Sequence, residues 1–306
     1  MLPMTATSVI KFIFFGNIFV GLLAIALSLE TAVQLNLPFN NTAYYLLLFF
    51  STMAYYTYAY AKVQVDPVNH NPRTLWYSKH RRFVNSNLRF SLGISIILGI
   101  YLAASHFNAL VHLPVFYWLA LLVVALAAVL YYGLVPKSFY RLNVRNTGLL
   151  KSFVIGFVWA SCVNIFPLIW LRIAFHISVM DYLLVGWLFL KTFMFCTVNA
   201  IMFDIKDYAE DANKQLKTFV VRFGLRNTIF QILIPLLLIG VVSIAVFALY
   251  RHFGFVPFLI NLLPFVLSLI VAYSMHKRQN ILYYLIVIDG LLLIKAICGI
   301  VAMQFV

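Results

Sequence analysis

Acidic residues are scarce in this sequence: Asp and Glu account for eight of its 306 residues, against 22 Lys and Arg. Only 10% of the residues are charged, whereas 64% are hydrophobic, and the mean hydropathy is +0.98. A soluble domain of this length does not need so much apolar sequence. The composition therefore excludes an ordinary soluble protein and predicts one that crosses the membrane several times.

Cysteine is also rare, and its three positions lack the paired spacing of a zinc site or a disulfide framework. Cys162, Cys196 and Cys298 all fall inside apolar runs, which predicts reduced, packed thiols. The N-terminus runs directly into a long apolar stretch without a small-residue cleavage pattern, so no cleavable signal is predicted. Low-complexity segments and long polar linkers are missing too, which favours a single transmembrane domain over 1–306.

Nine apolar stretches are each long enough to cross a bilayer, whose hydrocarbon core requires about 20 apolar residues per helix. We therefore predict an all-α polytopic membrane protein with nine transmembrane helices. The predicted spans are 8–29, 41–62, 84–104, 115–133, 148–171, 179–203, 228–249, 254–273 and 281–303.

The basic residues are distributed unevenly between the two sides of these spans. Seventeen of the 22 lie in or beside the loops that follow the second, fourth, sixth and eighth spans, whereas the opposite loops contribute only Arg172 and Arg251. The positive-inside rule then places the N-terminus in the cytoplasm and the C-terminus outside, in a cell (inner) membrane. Because topology explains the net charge of +14, no nucleic-acid partner is predicted, whereas anionic lipid headgroups or anionic substrates suit it.

Half of the acidic residues cluster at the start of one predicted cytoplasmic loop, 204–227. Asp204, Asp207 and Asp211 are spaced i, i+3, i+7, which on a helix places them within roughly 60° of one face. Converging carboxylates repel one another unless a cation lies between them, and Mg²⁺ prefers oxygen ligands while leaving positions for substrate phosphates. The stretch predicts a Mg²⁺ site; the alternative is a solvated acidic loop that balances nearby lysines.

Two parts of the chain carry a resemblance to a known family. The stretch from Asp204 to Asp211, followed by Lys217-Thr218 and Val221-Arg222-Phe-Gly224, resembles the second aspartate-rich motif of the UbiA superfamily of intramembrane prenyltransferases. Gln215 stands where the quinone-biosynthesis branch of that family often carries Gly. A weaker match, to the segment from the end of helix 4 into helix 5, comprises Tyr131-Tyr132, Pro136, Arg141, Gly148, Lys151 and Gly156.

The resemblance implies nine helices around a central cavity, with a first aspartate-rich motif in the loop 63–83 after the second helix. This first motif is altered here. Aligned on Asp66, it retains one carboxylate of three, because Ala59 and Lys62 occupy the other two aspartate positions, and Tyr58 occupies the asparagine position before them. One Mg²⁺ is then expected instead of two. Lys62 could replace the charge of the missing metal, or it could simply snorkel to the headgroups.

The resemblance also implies an activity, the transfer of an isoprenyl group from an allylic diphosphate to a lipophilic acceptor, aromatic and similar to a quinone precursor. The expected partners are membrane lipids, the isoprenyl diphosphate and this acceptor; no protein partner is inferable. Two other functions stay open: a family member that binds a polyprenyl lipid without turnover, and a transporter. Paired broken helices, which would favour a transporter, are not evident. The expected catalytic residues are Asp207, Asp211 and Lys217, and the expected metal ligands are Asp204, Asp207 and Asp211. The expected substrate-binding residues are Lys62, Asp66, Arg73, Arg141, Lys151, Lys206 and Arg222.

Three ionisable residues fall deep inside the predicted spans: Lys191, Asp289 and Lys295. Each costs on the order of 3 kcal/mol at the bilayer centre unless it is paired or faces a cavity. We therefore predict that Asp289 pairs with Lys191 or Lys295, as a structural pair more readily than as a proton relay.

Overall fold

The computed structural model describes residues 6–61, 72–131, 148–213, 215–277 and 279–305. Every regular element within these ranges is helical, which confirms the predicted all-α class. The helices up to residue 131 are α1 Ala6–Phe15, α2 Ile18–Gln34, α3 Thr42–Ala61, α4 Pro72–Lys79, α5 Arg81–Ser105, α6 Phe107–Val111 and α7 Val115–Tyr131. Those after residue 147 are α8 Leu149–Phe175, α9 Tyr182–Lys206, α10 Tyr208–Asn213, α11 Phe219–Phe223, α12 Leu225–Tyr250, α13 Phe255–Ser274 and α14 Ile281–Phe305.

Six of these helices, α5, α8, α9, α12, α13 and α14, are long and apolar enough to cross a membrane. The pair α1 and α2, bent by 59° at the break between them, would make a seventh. This supports a multi-pass membrane protein. Each predicted span contains a helix, but α3 is rich in tyrosine and α7 has only 17 described residues, and neither is among the six. The count of nine, the central cavity, the orientation and the membrane type stay predictions.

Large apolar side chains point outward from the spanning helices. Ile96, Ile97 and Ile100 on α5 are 60%, 67% and 64% exposed, and Val242 and Val246 on α12 are 61% and 60% exposed. A protein in water rarely leaves so many such side chains uncovered. These faces are therefore suited to contact with lipid tails.

The chain divides into two compact units, the first formed by Met1–Ile25 and Asn40–His112. Within it, the break between α1 and α2 lies at Asn17, whose φ of 59° is left-handed. The Asn17 amide donates to the hydroxyls of Thr57 and Tyr77 at 3.0 and 3.1 Å, and its oxygen accepts from Arg73 at 2.7 Å. Tyr77 in turn donates to the carbonyl of Phe15. Side chains thus satisfy the polar groups that the break exposes.

The second unit consists of Ala26–Phe39 and Leu113–Val306. Within it, α8 contains a π-helical turn at Ser161–Ile165, just before Pro167. Proline has no N–H to donate to the carbonyl four residues earlier. That carbonyl, of Val163, instead accepts a hydrogen bond of 2.9 Å from the hydroxyl of Thr31. The proline therefore creates a polar contact between α8 and the C-terminal half of α2.

A glycine allows the close approach of α8 and α9, which positions the candidate site. A Cβ atom added to Gly156 would lie 2.8 Å from the carbonyl oxygen of Phe193 and would also overlap the hydroxyl of Thr197. Only glycine fits without a shift of one helix. The start of α8 consequently lies beside the end of α9.

Candidate functional site

The candidate site is centred on Lys151, in the first turn of α8. Its ammonium donates to Asp204 Oδ1 at 2.7 Å and lies 3.8 Å from Asp211 Oδ2. The other oxygen of Asp204 accepts from the hydroxyl of Ser152 at 3.1 Å. Both oxygens of this buried carboxylate are therefore bonded to α8.

The aspartates do not lie on one uninterrupted helix, as their spacing had suggested. Helix α9 ends at Lys206, Asp207 forms its C-terminal cap, and α10 begins at Tyr208. Asp204 and Asp211 still approach the same cation, whereas Asp207 forms an ion pair with the neighbouring Lys206. The cation between Asp204 and Asp211 is thus the ammonium group of Lys151.

The carboxylates in this arrangement do not form a metal site by themselves. Within the ranges that the structure describes, no group of three or more His, Cys, Asp or Glu side chains could hold a metal ion. Asp204 is already occupied by Lys151 and Ser152. Asp207 is the most accessible of the three carboxylates, with a side chain that is 30% exposed, against 2% for Asp204 and 8% for Asp211.

The segment after α10 returns to the start of α8. Gly148 has a left-handed φ of 71°, and a Cβ atom there would overlap the backbone of Lys217. Thr218 is fully buried, and its hydroxyl has no hydrogen-bond partner among the described residues. Gln215, at the position where the resembling family often has Gly, has a left-handed φ of 55°. The backbone thus takes a conformation here that favours glycine.

The remaining predicted site residues have different surroundings. Lys217 and Arg222 are exposed, and the Arg222 guanidinium lies 5.3 Å from the ring centre of Phe223. Arg73 belongs to the other compact unit, where it is buried and bonded to Asn17. The structure therefore joins Lys151 to Asp204 and Asp211, and Lys206 to Asp207. Three predicted residues lie outside the described ranges: Lys62, Asp66 and Arg141.

The sequence reasoning missed the carboxylate that meets the intramembrane lysines, Glu30. The predicted first span ended at residue 29, whereas α2 continues to Gln34. Glu30 Oε2 lies 2.6 Å from the ammonium of Lys295, and Oε1 lies 3.7 Å from that of Lys191. Asp289, the predicted partner, is half-buried. A single acidic residue at the end of a long apolar run was the available signal.

Ser152 was also missed, although it directly follows the predicted Lys151. The pairing of Lys151 and Ser152 with Asp204 joins the two stretches that carry the family resemblance. Comparisons of the chain with protein-family models, with curated proteins and with solved structures each return no match.

Proposed function

We propose that this chain is a UbiA-like prenyltransferase that transfers an isoprenyl group from an allylic diphosphate to a lipophilic, aromatic acceptor. One observation carries the proposal: Lys151 on α8 contacts Asp204 and Asp211. The two stretches that resemble the family, 148–156 and 204–224, are far apart in sequence and share this one cluster of charges. A membrane-spanning, all-helical fold suits substrates with isoprenoid tails.

Ionisation of an allylic diphosphate places growing negative charge on the leaving group, so preorganised donors and cations near it lower the barrier. Lys206, Lys217 and Arg222 are the cations that we assign to the diphosphate oxygens, together with the hydroxyl of Thr218. The first backbone N–H groups of α8 are further donors, since Gly148 offers no side chain to cap them. Lys151 then holds Asp204 and Asp211 in place.

Mg²⁺ is part of this proposal, with Asp207 and Asp211 as its protein ligands; Asp204, the third predicted ligand, already accepts hydrogen bonds from Lys151 and Ser152. Mg²⁺ is commonly held by one or two carboxylates plus substrate phosphates, so a site completed by the diphosphate suits these residues. When bound, it would neutralise charge on the diphosphate. The protein contributes the carboxylate of Asp207, which is 30% exposed and paired with Lys206.

A second function is favoured by the same ion pair. Because Lys151 already neutralises Asp204, the chain could bind a polyprenyl diphosphate or related lipid without turnover. In that case the cations retain the headgroup, and the altered first motif leaves the bond to the diphosphate intact. Turnover separates the two functions directly.

The deciding experiment measures pyrophosphate release by the purified protein in lipid nanodiscs. The assay contains Mg²⁺, allylic diphosphates of several lengths and a lipid-soluble extract that includes aromatic acceptors. We expect release by the wild type and its loss in Asp207→Asn. Asp181→Asn is the matched control, because Asp181 is a similarly exposed carboxylate outside the site. Binding of the diphosphate without release in both proteins would instead establish the lipid-binding function, and no binding would refute both.

Thr218→Val tests the assignment of the hydroxyl. Since the hydroxyl has no partner among the described residues, its removal should leave the free energy of unfolding unchanged or slightly raised. Loss of a hydrogen bond to a charged phosphate should weaken diphosphate binding by about tenfold. Thr228→Val is the control, because that hydroxyl donates to the carbonyl of Gly224 at 2.8 Å. If Thr218→Val binds the diphosphate as the wild type does, the hydroxyl is not part of the site.

A further inference from the structure

A second candidate site lies at the other end of α9. A cavity of about 100 Å³ lies there, and its wall includes Leu184 and Trp187 of α9 together with Phe253, Pro257, Asn261 and Met303. Seventeen residues separate Trp187 from Asp204, which corresponds to about 25 Å along a helix. The cavity is therefore remote from the aspartates of the proposed transferase site.

Three buried charges form a cluster near this cavity, each on a different helix. Glu30 on α2 pairs with Lys295 of α14 at 2.6 Å and with Lys191 of α9 at 3.7 Å. Lys295 also donates to the hydroxyl of Thr192 at 3.1 Å. All three charged side chains are at most 3% exposed. One carboxylate is thus shared between two ammonium groups.

Within the described ranges, Lys191 has fewer acceptors than its three N–H groups can use. It donates one hydrogen bond, of 2.9 Å, to the side-chain oxygen of Asn261, and its distance to Glu30 is beyond hydrogen-bond range. Its ammonium lies 5.3 Å from the ring centre of Trp187. Asn261 and Trp187 both line the cavity. A buried ammonium with unused donors requires a further acceptor, and the cavity is the adjacent space that could hold one.

The other charged groups nearby that the structure describes do not supply this acceptor. Asp289 is also on α14, but six residues before Lys295, which places it about 9 Å further along the axis, away from Met303 and the cavity. Arg251 at the cavity wall is paired with Asp181 at 2.6 Å. Gln34, also in the wall, donates to Glu30 at 3.3 Å. Among the described residues, the two ammonium groups of Lys191 and Lys295 therefore share one carboxylate, that of Glu30.

We propose that this cavity binds a small monocarboxylate, whose oxygens accept hydrogen bonds from Lys191 and whose apolar part packs against Trp187, Phe253 and Pro257. A carboxylate provides the charge and the acceptors that the network lacks, and a charge-assisted bond is stronger than one to a neutral group. The volume corresponds to about three water molecules, which restricts the enclosed ligand to a short chain. The proposal does not depend on prenyl transfer, since it concerns a separate set of residues.

The test measures equilibrium binding of radiolabelled butyrate to the protein in nanodiscs, with unlabelled butyrate or butyramide as competitor. Butyramide has nearly the same shape but no charge. We expect saturable binding that butyrate displaces at least about tenfold more effectively than butyramide. The absence of saturable binding, or equal displacement by the two compounds, would overturn the proposal.

Two variants locate the site. Lys191→Met should weaken butyrate binding by about tenfold or more, and it should fold because Glu30 keeps its partner Lys295. Leu184→Trp leaves every charge in place but fills the cavity, and it should abolish binding. Unchanged affinity in either folded variant would show that butyrate binds elsewhere and would refute the assignment. If Lys191→Met does not fold, Leu184→Trp and the butyramide competition decide the question.

Discussion

The substitution Glu30→Gln should strongly destabilise this protein, because it leaves two buried ammonium groups without their shared carboxylate. At an effective dielectric constant of about 20, the Coulomb attraction is about 6 kcal/mol for the 2.6 Å pair with Lys295 and about 4.5 kcal/mol for the 3.7 Å pair with Lys191. Desolvation of the charges offsets much of this. Breaking a buried pair by removing one partner costs about 3–5 kcal/mol, and we expect a loss of that size in the free energy of unfolding.

Lys191→Met is the matched comparison. It removes the more distant of the two cations and leaves the shorter pair of Glu30 with Lys295 intact. It also removes a desolvated charge, so the cost of losing the bond to Asn261 is partly offset. We expect a change in the free energy of unfolding within about 1 kcal/mol.

Unfolding can be followed with a thiol-reactive fluorophore, because the free cysteines Cys196 and Cys298 are buried and Cys162 is half-buried in the folded protein. The rate of labelling during heating then reports the loss of the packed core. Glu30→Gln should unfold at a clearly lower temperature than the wild type, and Lys191→Met should unfold close to it. If Glu30→Gln is as stable as the wild type, or if both variants are destabilised equally, Glu30 is not the shared counter-ion of the two lysines.

Four further substitutions test the helix contact at Gly156, the backbone at Gln215 and the charge of Asp181. Gly156→Ala should lower the free energy of unfolding by about 1–3 kcal/mol, because the added methyl group clashes with α9. Gly186 is a helical glycine with open space around it, so Gly186→Ala should raise the free energy of unfolding by about 0.5–1 kcal/mol in the same chemical-denaturation assay. Equal effects of the two substitutions would refute the close helix contact. Gln215→Gly should stabilise by about 0.5–1 kcal/mol because φ there is left-handed, and a loss of stability in thermal unfolding would contradict that geometry. The hydrogen bond from Leu184 lowers the pKa of Asp181, with a smaller contribution from its ion pair, below the ordinary 3.8. The stability gained from that charge is present above pH 3.8 and is lost as the pH falls through the lower pKa of the folded protein. The unfolding temperatures of the wild type and of Asp181→Asn should therefore converge in acid. A difference that stays constant with pH would show that Asp181 has no such role.

The apolar segments of the sequence predicted the helical class and most helix positions well, because a span of about 20 apolar residues leaves few alternatives in a bilayer. Helix ends were less predictable. The first span was predicted to end at residue 29, yet α2 continues to Gln34 and so places Glu30 within the packed interior. A boundary error of a few residues therefore hid the partner of both buried lysines.

The candidate site was likewise only partly predictable from the sequence. The spacing of Asp204, Asp207 and Asp211 predicted a shared Mg²⁺ ion, and the family resemblance placed Lys151 among the substrate-binding residues. The structure instead places the ammonium of Lys151 between Asp204 and Asp211. Periodicity describes positions along one helix, but Lys151 reaches the aspartates from another.

The sequence by itself determined that this protein is helical, membrane-embedded and unusually poor in acidic residues, because hydropathy and charge are properties of local composition. Only the tertiary structure decided which charges meet. The pairs of Lys151 with Asp204 and of Glu30 with Lys295 join residues that are 53 and 265 positions apart. Their contact depends on helix packing, for which the small side chain of Gly156 is one requirement. In a low-dielectric interior such contacts are strong, so the pairing of a few charges, more than their number, defines the two sites proposed for this chain.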